Sequence, residues 1–170
     1  MKPFLYGHRF DTTIIDLDET ALLLRQALNF MAHIAYRGGV IMFLVRQPQF
    51  VHLVERTAIE SGEYAHCRKW KTEILTADEI EFGYPIRKPD LMVFLHTKDG
   101  SHYKEHQAIA DAAKLNIPTM AVVDTDCDPN LISFPIPGND DSLESQQLYL
   151  HLFKQSILMA KKKRKEDKLM

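Results

Sequence analysis

Three short, almost wholly apolar runs constrain the fold more than anything else in the chain: VIMFLV (residues 40–45), LMVFL (91–95) and TMAVV (119–123). A strand with one face in water alternates apolar and polar residues, whereas a strand covered on both faces need not. These runs therefore predict strands in the middle layer of a domain. The segments between them carry helical periodicity. Leu22, Leu23, Ala27, Phe30, Met31 and Ile34 share one helical face up to Tyr36, with Asp18 as the expected N-cap. Pro48 suits the first turn of a second helix, which runs to Ser61 and stops at Gly62. A third helix is expected over residues 102–115, with Ala108, Ile109, Ala112, Ala113 and Leu115 turned inward. A last helix begins near Asp141 or Ser142 and carries Leu143, Leu148, Leu150, Leu152, Phe153 and Ile157.

Strands that alternate with helices form βαβ units, a mostly parallel sheet and helices on both faces. The predicted class is α/β, a three-layer α/β/α sandwich. Residues 12–15 and 63–67 read as short, weaker strands, and 68–88 as irregular. Pro129, Pro135 and Pro137 are read as fixing an irregular connection.

A chain of 170 residues predicts one domain: residues 1–159 as the α/β unit and 160–170 as a basic tail. The formal net charge of −2 hides an asymmetry. Residues 1–150 carry a net of −7, and residues 151–170 a net of +5. An acidic body excludes a nucleic-acid clamp over the whole surface but leaves room for local basic patches. The two cysteines, Cys67 and Cys127, form no CxxC pair and are expected as free thiols in a reducing compartment. No apolar run reaches the ~20 residues that span a bilayer. Neither a signal peptide nor a transit peptide is expected in this chain.

The sharpest enzyme-like motif is IIDLDET, residues 14–20. Its DxDxT resembles the first motif of haloacid-dehalogenase-type phosphatases. That resemblance would make Asp16 the nucleophile and Asp18 the acid/base of a magnesium-dependent phosphatase, with Asp140-Asp141 as metal holders. Against it, Asp18 is read as a helix cap, and no later strand ends in the serine such an enzyme uses. Asp140-Asp141 follow a Pro-Gly-Asn turn directly before a helix, where carboxylates stabilise the positive helix end. Asp124, Asp126 and Asp128 are read as turn chemistry around Pro129 rather than as cation ligands. No metal and no cofactor are expected.

The basic residues point elsewhere. Arg68, Lys69, Trp70 and Lys71 place an aromatic among cations, a pattern that suits RNA, with Trp70 stacking on a base or packing on a sugar; the same residues also read as a solvated loop with Trp70 tucked into the core. Arg87 and Lys88 are expected near them across the irregular segment, and Arg46 at a strand end. Lys161, Lys162, Lys163, Arg164 and Lys165 crowd five cations together, which favours an acidic partner.

These pieces, in order, resemble the small-subunit ribosomal protein S2 family from end to end. MKPF at the start is followed by IIDLDET, and LLLRQALNFMAHIAYRGGVIMFLV (22–45) carries the family's long helix, Gly-Gly turn and first core strand. RKPDLMVFLHT (87–97) resembles its second core strand. HQAIADAAKLNIPTMAVVDTDCDPNLISFPIPGNDD (106–141) resembles its signature block. ALNFMAHIAYR, GEYAHCR and FLHT are similar to the mitochondrial branch. The resemblance implies a flavodoxin- or Rossmann-like sheet. It also implies no coiled-coil hairpin of the bacterial kind, because residues 77–89 leave no room for one. It implies a structural, non-enzymatic constituent of the mitochondrial small ribosomal subunit, in the matrix, without membrane or small-molecule partners. Ribosomal RNA and neighbouring small-subunit proteins would be its partners. The family's RNA-contact loop, which carries a glycine pair, corresponds to residues 68–77, where that pair is absent. Its N-terminal segment ahead of the position of Met1 is likewise expected to be missing.

Overall fold

The computed structural model describes residues 1–71, 74–75, 86–99 and 104–169. A 3-10 turn, Lys2–Phe4, leads into an antiparallel hairpin of β1 (Leu5–Arg9) and β2 (Thr12–Ile15). Phe10 and Asp11 form its two-residue loop, both at positive φ (47° and 58°). Positive φ at both central residues matches the twist of a hairpin, although Asn-Gly or Asp-Gly is the usual sequence for it. The first strand therefore carried no recognisable signal.

Helix α1 (Leu17–Arg37) follows at once. Its N-cap is Asp16, not the expected Asp18: Asp16 Oδ1 accepts the Asp18 N–H at 3.0 Å. Asp18 and Glu19 occupy the first turn, where negative charge faces the helix's positive end. Gly38, at φ 78°, ends the helix, and the Gly39 N–H bonds Ile34 O at 2.9 Å. Strand β3 (Ile41–Leu44), α2 (Pro48–Ser61) and β4 (Tyr64–His66) come next. After these come β5 (Leu91–Phe94), α3 (Gln107–Lys114), β6 (Thr119–Val123), β7 (Phe134–Pro137) and α4 (Leu143–Leu169).

All neighbouring strands of the five-stranded sheet β4-β3-β5-β6-β7 run parallel. The three apolar runs supply its centre, and their side chains divide by parity. Ile41, Phe43, Val45, Leu91, Val93, Leu95, Met120 and Val122 pack with α1, α2 and α4. Leu44, Met92, Phe94, Ala121 and Val123 pack on the other face with α3, Trp70 and Ile132. This is a three-layer α/β/α sandwich, with α4 locked to α1 by Ser156 Oγ donating to Leu28 O at 3.0 Å. The Tyr36 hydroxyl adds a bond to Asp167 at 2.8 Å.

Two expectations need correction. Helix α3 starts at Gln107, capped by His106 Nδ1, which accepts the Ala108 N–H at 3.2 Å. Residues 104–105 are extended instead, through a bridge between Lys98 and Glu105. Ala113 is exposed, because the short helix turns only Ala108, Ile109, Asp111 and Ala112 inward. The expected helical residues 102–103 lie outside the described residues, as do most of 72–85.

The proline-rich segment is a strand, not an irregular connection. Gly138 N bonds Val123 O at 3.1 Å, so alternate residues of β7 face β6. Pro135 and Pro137 then both face outward, where no N–H is required. Pro137 O accepts the Thr20 hydroxyl at 2.8 Å from that outer side.

Candidate nucleic-acid interface and the carboxyl end of the sheet

Helix α4 starts beyond the carboxyl end of the sheet and runs back to its amino end. Its last turns carry Lys161, Lys162, Lys163, Arg164, Lys165 and Lys168, so residues 160–169 are helical and packed on the body. Two of these cations serve the fold. Lys161 Nζ donates to Ser61 O at 2.8 Å and Gly62 O at 3.0 Å, neutralising the C-terminal end of α2, and pairs with Glu63 at 2.5 Å. The Arg164 guanidinium lies against the Gly38 backbone, in the space that a side chain at Gly38 would need. Lys162 is weakly paired with Glu166 at 3.8 Å. Lys163, Lys165 and Lys168 are exposed and have no acidic partner among the described residues. Lys161, Lys162, Arg164, Lys165 and Lys168 line an open cleft of about 780 Å³ beside the end of α2.

Arg87 and Lys88 precede β5, so they too lie at the amino end. Arg87 pairs with Asp90 at 3.1 Å, and Asp90 accepts the Val40 N–H at 2.7 Å. Gly39 sits against Asp90 while Gly38 sits against Arg164. The Gly-Gly turn thus joins Arg87 to the cations of α4 as one patch. Arg68, Lys69 and Lys71 follow β4 at the opposite, carboxyl end, where they are exposed. The expected proximity of Arg87-Lys88 to Arg68–Lys71 does not occur, because strands β4 and β5 separate them by their length. Arg46, also at the carboxyl end, is half-buried and tied to Asp99 at 3.0 Å.

Of its two expected places Trp70 takes the core, and its ring is not presented to a base or sugar. Its side chain is 6% exposed, and its indole N–H donates to Asp111 Oδ2 at 3.0 Å. His66 and His106 meet it edge-on, with centroids 5.1 and 6.0 Å away. Neighbouring residues turn the cations out and the ring in. Burial holds the His106 imidazole down at about 4, so it is neutral in this packing.

A second cluster forms where β5, β6 and β7 end. His96 Nε2 lies 3.5 Å from Asp140 Oδ2 and 3.9 Å from Asp141 Oδ1. Asp124 Oδ2 accepts the Asp140 N–H at 3.3 Å. Gln146 donates from Nε2 to Leu95 O and Asp140 O, each at 2.8 Å. Lys98 pairs with Asp126. Burial, then the charges of Asp124, Asp141 and Asp126, push the Asp140 carboxyl up to about 8. Asp124 and Asp128 make the turn bonds expected of them, to Thr125 N at 2.5 Å and Asn130 N at 3.1 Å. Both thiols are pushed by burial to about 11, so neither Cys67 nor Cys127 is a ready nucleophile. The sequence reading did not bring His96 to Asp140-Asp141; parallel neighbours that end at the same level were the available signal.

The phosphatase alternative fails on placement. Asp16 ends the peripheral hairpin instead of a strand of the parallel sheet, and its carboxylate caps α1. Asp140 and Asp141 leave the end of β7, where His96 faces Asp140 and the Asn139 turn takes the Asp141 N–H, and neither is bonded to Asp16 among the described contacts. What remains is an open parallel α/β/α sandwich with outward-facing cations in the last turns of one helix.

The comparisons are specific. The sequence matches the family model described as Ribosomal protein S2 over residues 1–84 and 80–160. It is 49% identical over 166 residues to the "Small ribosomal subunit protein uS2m" of Bos taurus, covering 98% of this chain and 56% of that protein. It is 32% identical over 202 residues to the "Small ribosomal subunit protein uS2" of Rickettsia canadensis (strain McKiel), covering 93% of this chain and 67% of that one. The Rickettsia prowazekii (strain Madrid E) protein of the same name is 31% identical. The chain belongs to the ribosomal protein S2 family. It spans little more than half the length of the bovine relative. Among the described residues, no helix is long and apolar enough to cross a membrane.

Proposed function

We propose that this chain is a structural constituent of the mitochondrial small ribosomal subunit, in the matrix, and acts in translation without catalysing a reaction. It binds ribosomal RNA and neighbouring small-subunit proteins. The observation that carries this is the 49% identity to a mitochondrial uS2m across 98% of the chain. The arrangement of cations supports the RNA part. Lys162, Lys163, Arg164, Lys165 and Lys168, with Arg87 and Lys88 across the Gly-Gly turn, form one electropositive patch on an otherwise acidic body. Such a patch neutralises phosphates and fixes orientation without reading sequence. Arg46, Arg68, Lys69, Lys71 and Lys161 are secondary contacts, since Arg46 and Lys161 already serve intramolecular partners and the other three lie at the far end of the sheet.

Sedimentation of mitochondrial lysate through a sucrose gradient tests this reading. The chain should co-migrate with the small subunit and shift with it when magnesium is removed. Recovery solely in the free soluble fraction overturns it.

A further inference from the structure

We infer that the β1-β2 hairpin is a docking arm for a second protein, one that receives Phe10 in an apolar pocket rimmed by lysine or arginine. This deepens the protein-binding half of the function proposed above and rests on that reading.

The hairpin departs from regular pairing at two places, and each departure presents an aromatic to water. The register shifts between Leu5 and Gly7, so Tyr6 stands unpaired, as the extra residue of a bulge does. Bulges re-aim the side chains they carry, and Tyr6 is 78% exposed. Phe10 holds the first loop position at φ 47° and is 89% exposed. That backbone region suits glycine or asparagine, and a bulky side chain there is an outlier. Phe10 therefore gives the isolated fold neither an easy turn nor a buried ring. Strain of this kind collects at binding sites and clamps.

The two faces of the hairpin differ. Residues directly opposite in the ladder share a face. Leu5 with Ile15 and His8 with Thr13 form one, and Leu5, Thr13 and Ile15 are partly covered there. Gly7 with Ile14 and Arg9 with Thr12 form the other. On that face Ile14 is exposed, and nothing occupies the space beside the Gly7 backbone. The Arg9 guanidinium lies 5.5 Å from the centroid of the Phe10 ring and restrains it. A restrained, exposed aromatic loses little freedom on docking, which is what an interface anchor requires.

Charge decides the class of partner. Residues 5–19 hold one arginine and four carboxylates, a net of −3 with histidine neutral. Asp11 follows Phe10 directly, and Asp18 and Glu19 are exposed in the first turn of α1. RNA draws most of its affinity from cations at phosphates, so this surface repels it. An apolar anchor in an acidic collar complements a protein pocket ringed by cations. The hairpin also stands apart from the proposed RNA patch. It precedes α1, whereas Arg164 meets the chain at Gly38, beyond the other end of that 21-residue helix.

Photo-crosslinking of the full chain tests this, with p-benzoylphenylalanine at position 10 and irradiation in intact mitochondria. One protein should be joined, at a residue in an apolar pocket flanked by lysine or arginine. That protein, purified, is then titrated with the chain. Phe10→Ala should weaken binding by about tenfold or more. Asp11→Asn should weaken it by less, and only at low salt. Phe10→Asn should also weaken binding, yet unfold at no lower temperature than wild type. RNA affinity should be the same in all three variants. Adducts to RNA, to a second copy or within the chain overturn the inference, as does the absence of any adduct. So does a titration that Phe10→Ala leaves unchanged, or a lower unfolding temperature for Phe10→Asn, which would show that the fold itself needs the ring. A chain that never sediments with the small subunit refutes the function proposed above. One that sediments with it but gives no such adduct refutes the docking arm alone.

Discussion

Replacing Trp70 by Phe separates a buried indole from an RNA-stacking one. The indole N–H donates to Asp111 Oδ2 at 3.0 Å, and Asp111 is fully buried. Phe keeps most of the ring's contacts with His66 and His106 but removes that donor. A hydrogen bond to a charged acceptor contributes about 1.5–3 kcal/mol. Asp111 retains Lys114 at 3.3 Å and Gln107 at 3.4 Å, which limits the damage. The smaller ring adds a void worth roughly 1 kcal/mol. The expected loss is about 2–4 kcal/mol, or roughly 5–12 °C in Tm for a domain of this size. Urea and thermal unfolding measure it directly. Trp70 is the single tryptophan, so its fluorescence reports the same packing. Native emission should be blue-shifted and insensitive to iodide, and should move to the red on unfolding. RNA affinity of the folded Trp70→Phe protein should match wild type. Red-shifted, iodide-quenched native emission would refute the reasoning. So would unchanged stability combined with weakened RNA binding.

Other consequences follow from the same contacts. Lys163→Ala with Lys165→Ala should lower RNA affinity and reduce the salt slope by about 0.7–0.9 per cation removed, with unfolding midpoints unchanged. Lys161→Met should do the reverse, costing about 1 kcal/mol through the uncapped end of α2, with a smaller effect on RNA. His106 should take about 2 kcal/mol from folding stability between pH 7 and pH 5, because the unfolded ring takes up a proton below about 6.5 while the folded one resists to about 4; Asp140, held up to about 8 in the fold, works in the opposite direction over the same range, so the difference between wild type and His106→Gln isolates the histidine. Urea midpoints of both proteins at the two pH values measure this: His106→Gln should lose less stability, or gain more, than wild type on going from pH 7 to pH 5. Asp16→Ala should cost about 1 kcal/mol by removing the α1 cap, read by thermal unfolding.

Much of the architecture was legible because burial on both faces leaves a plain mark. VIMFLV, LMVFL and TMAVV each became a central strand, and Gly38, Pro48 and Gly62 bounded helices where their backbone chemistry required. The hairpin of β1 and β2 was less visible: Phe10 and Asp11 are not the usual residues for a loop with two positive φ angles. Strand β7 was hidden by its prolines, which disqualify a segment only if it lies inside a sheet. The site was legible by composition and not by role. A run of five cations shows charge, but only the packed structure shows that Lys161 closes α2 and Arg164 covers Gly38. Trp70 lies between exposed cations in sequence, and its inward turn depends on Asp111, 41 positions away. His96 meets Asp140 only because β5 and β7 end at the same level.

The prolines of β7 have a further effect on how this chain can associate. An approaching strand must exchange N–H and C=O groups with a free sheet edge, in alternation. At Pro135 and Pro137 that edge offers carbonyls alone, and the Pro137 carbonyl is already taken by Thr20. A second copy cannot extend the sheet here by backbone pairing. A folded chain at high local concentration is exposed to many copies of itself. On this side it is closed to them by the covalent structure of two residues, before any partner arrives.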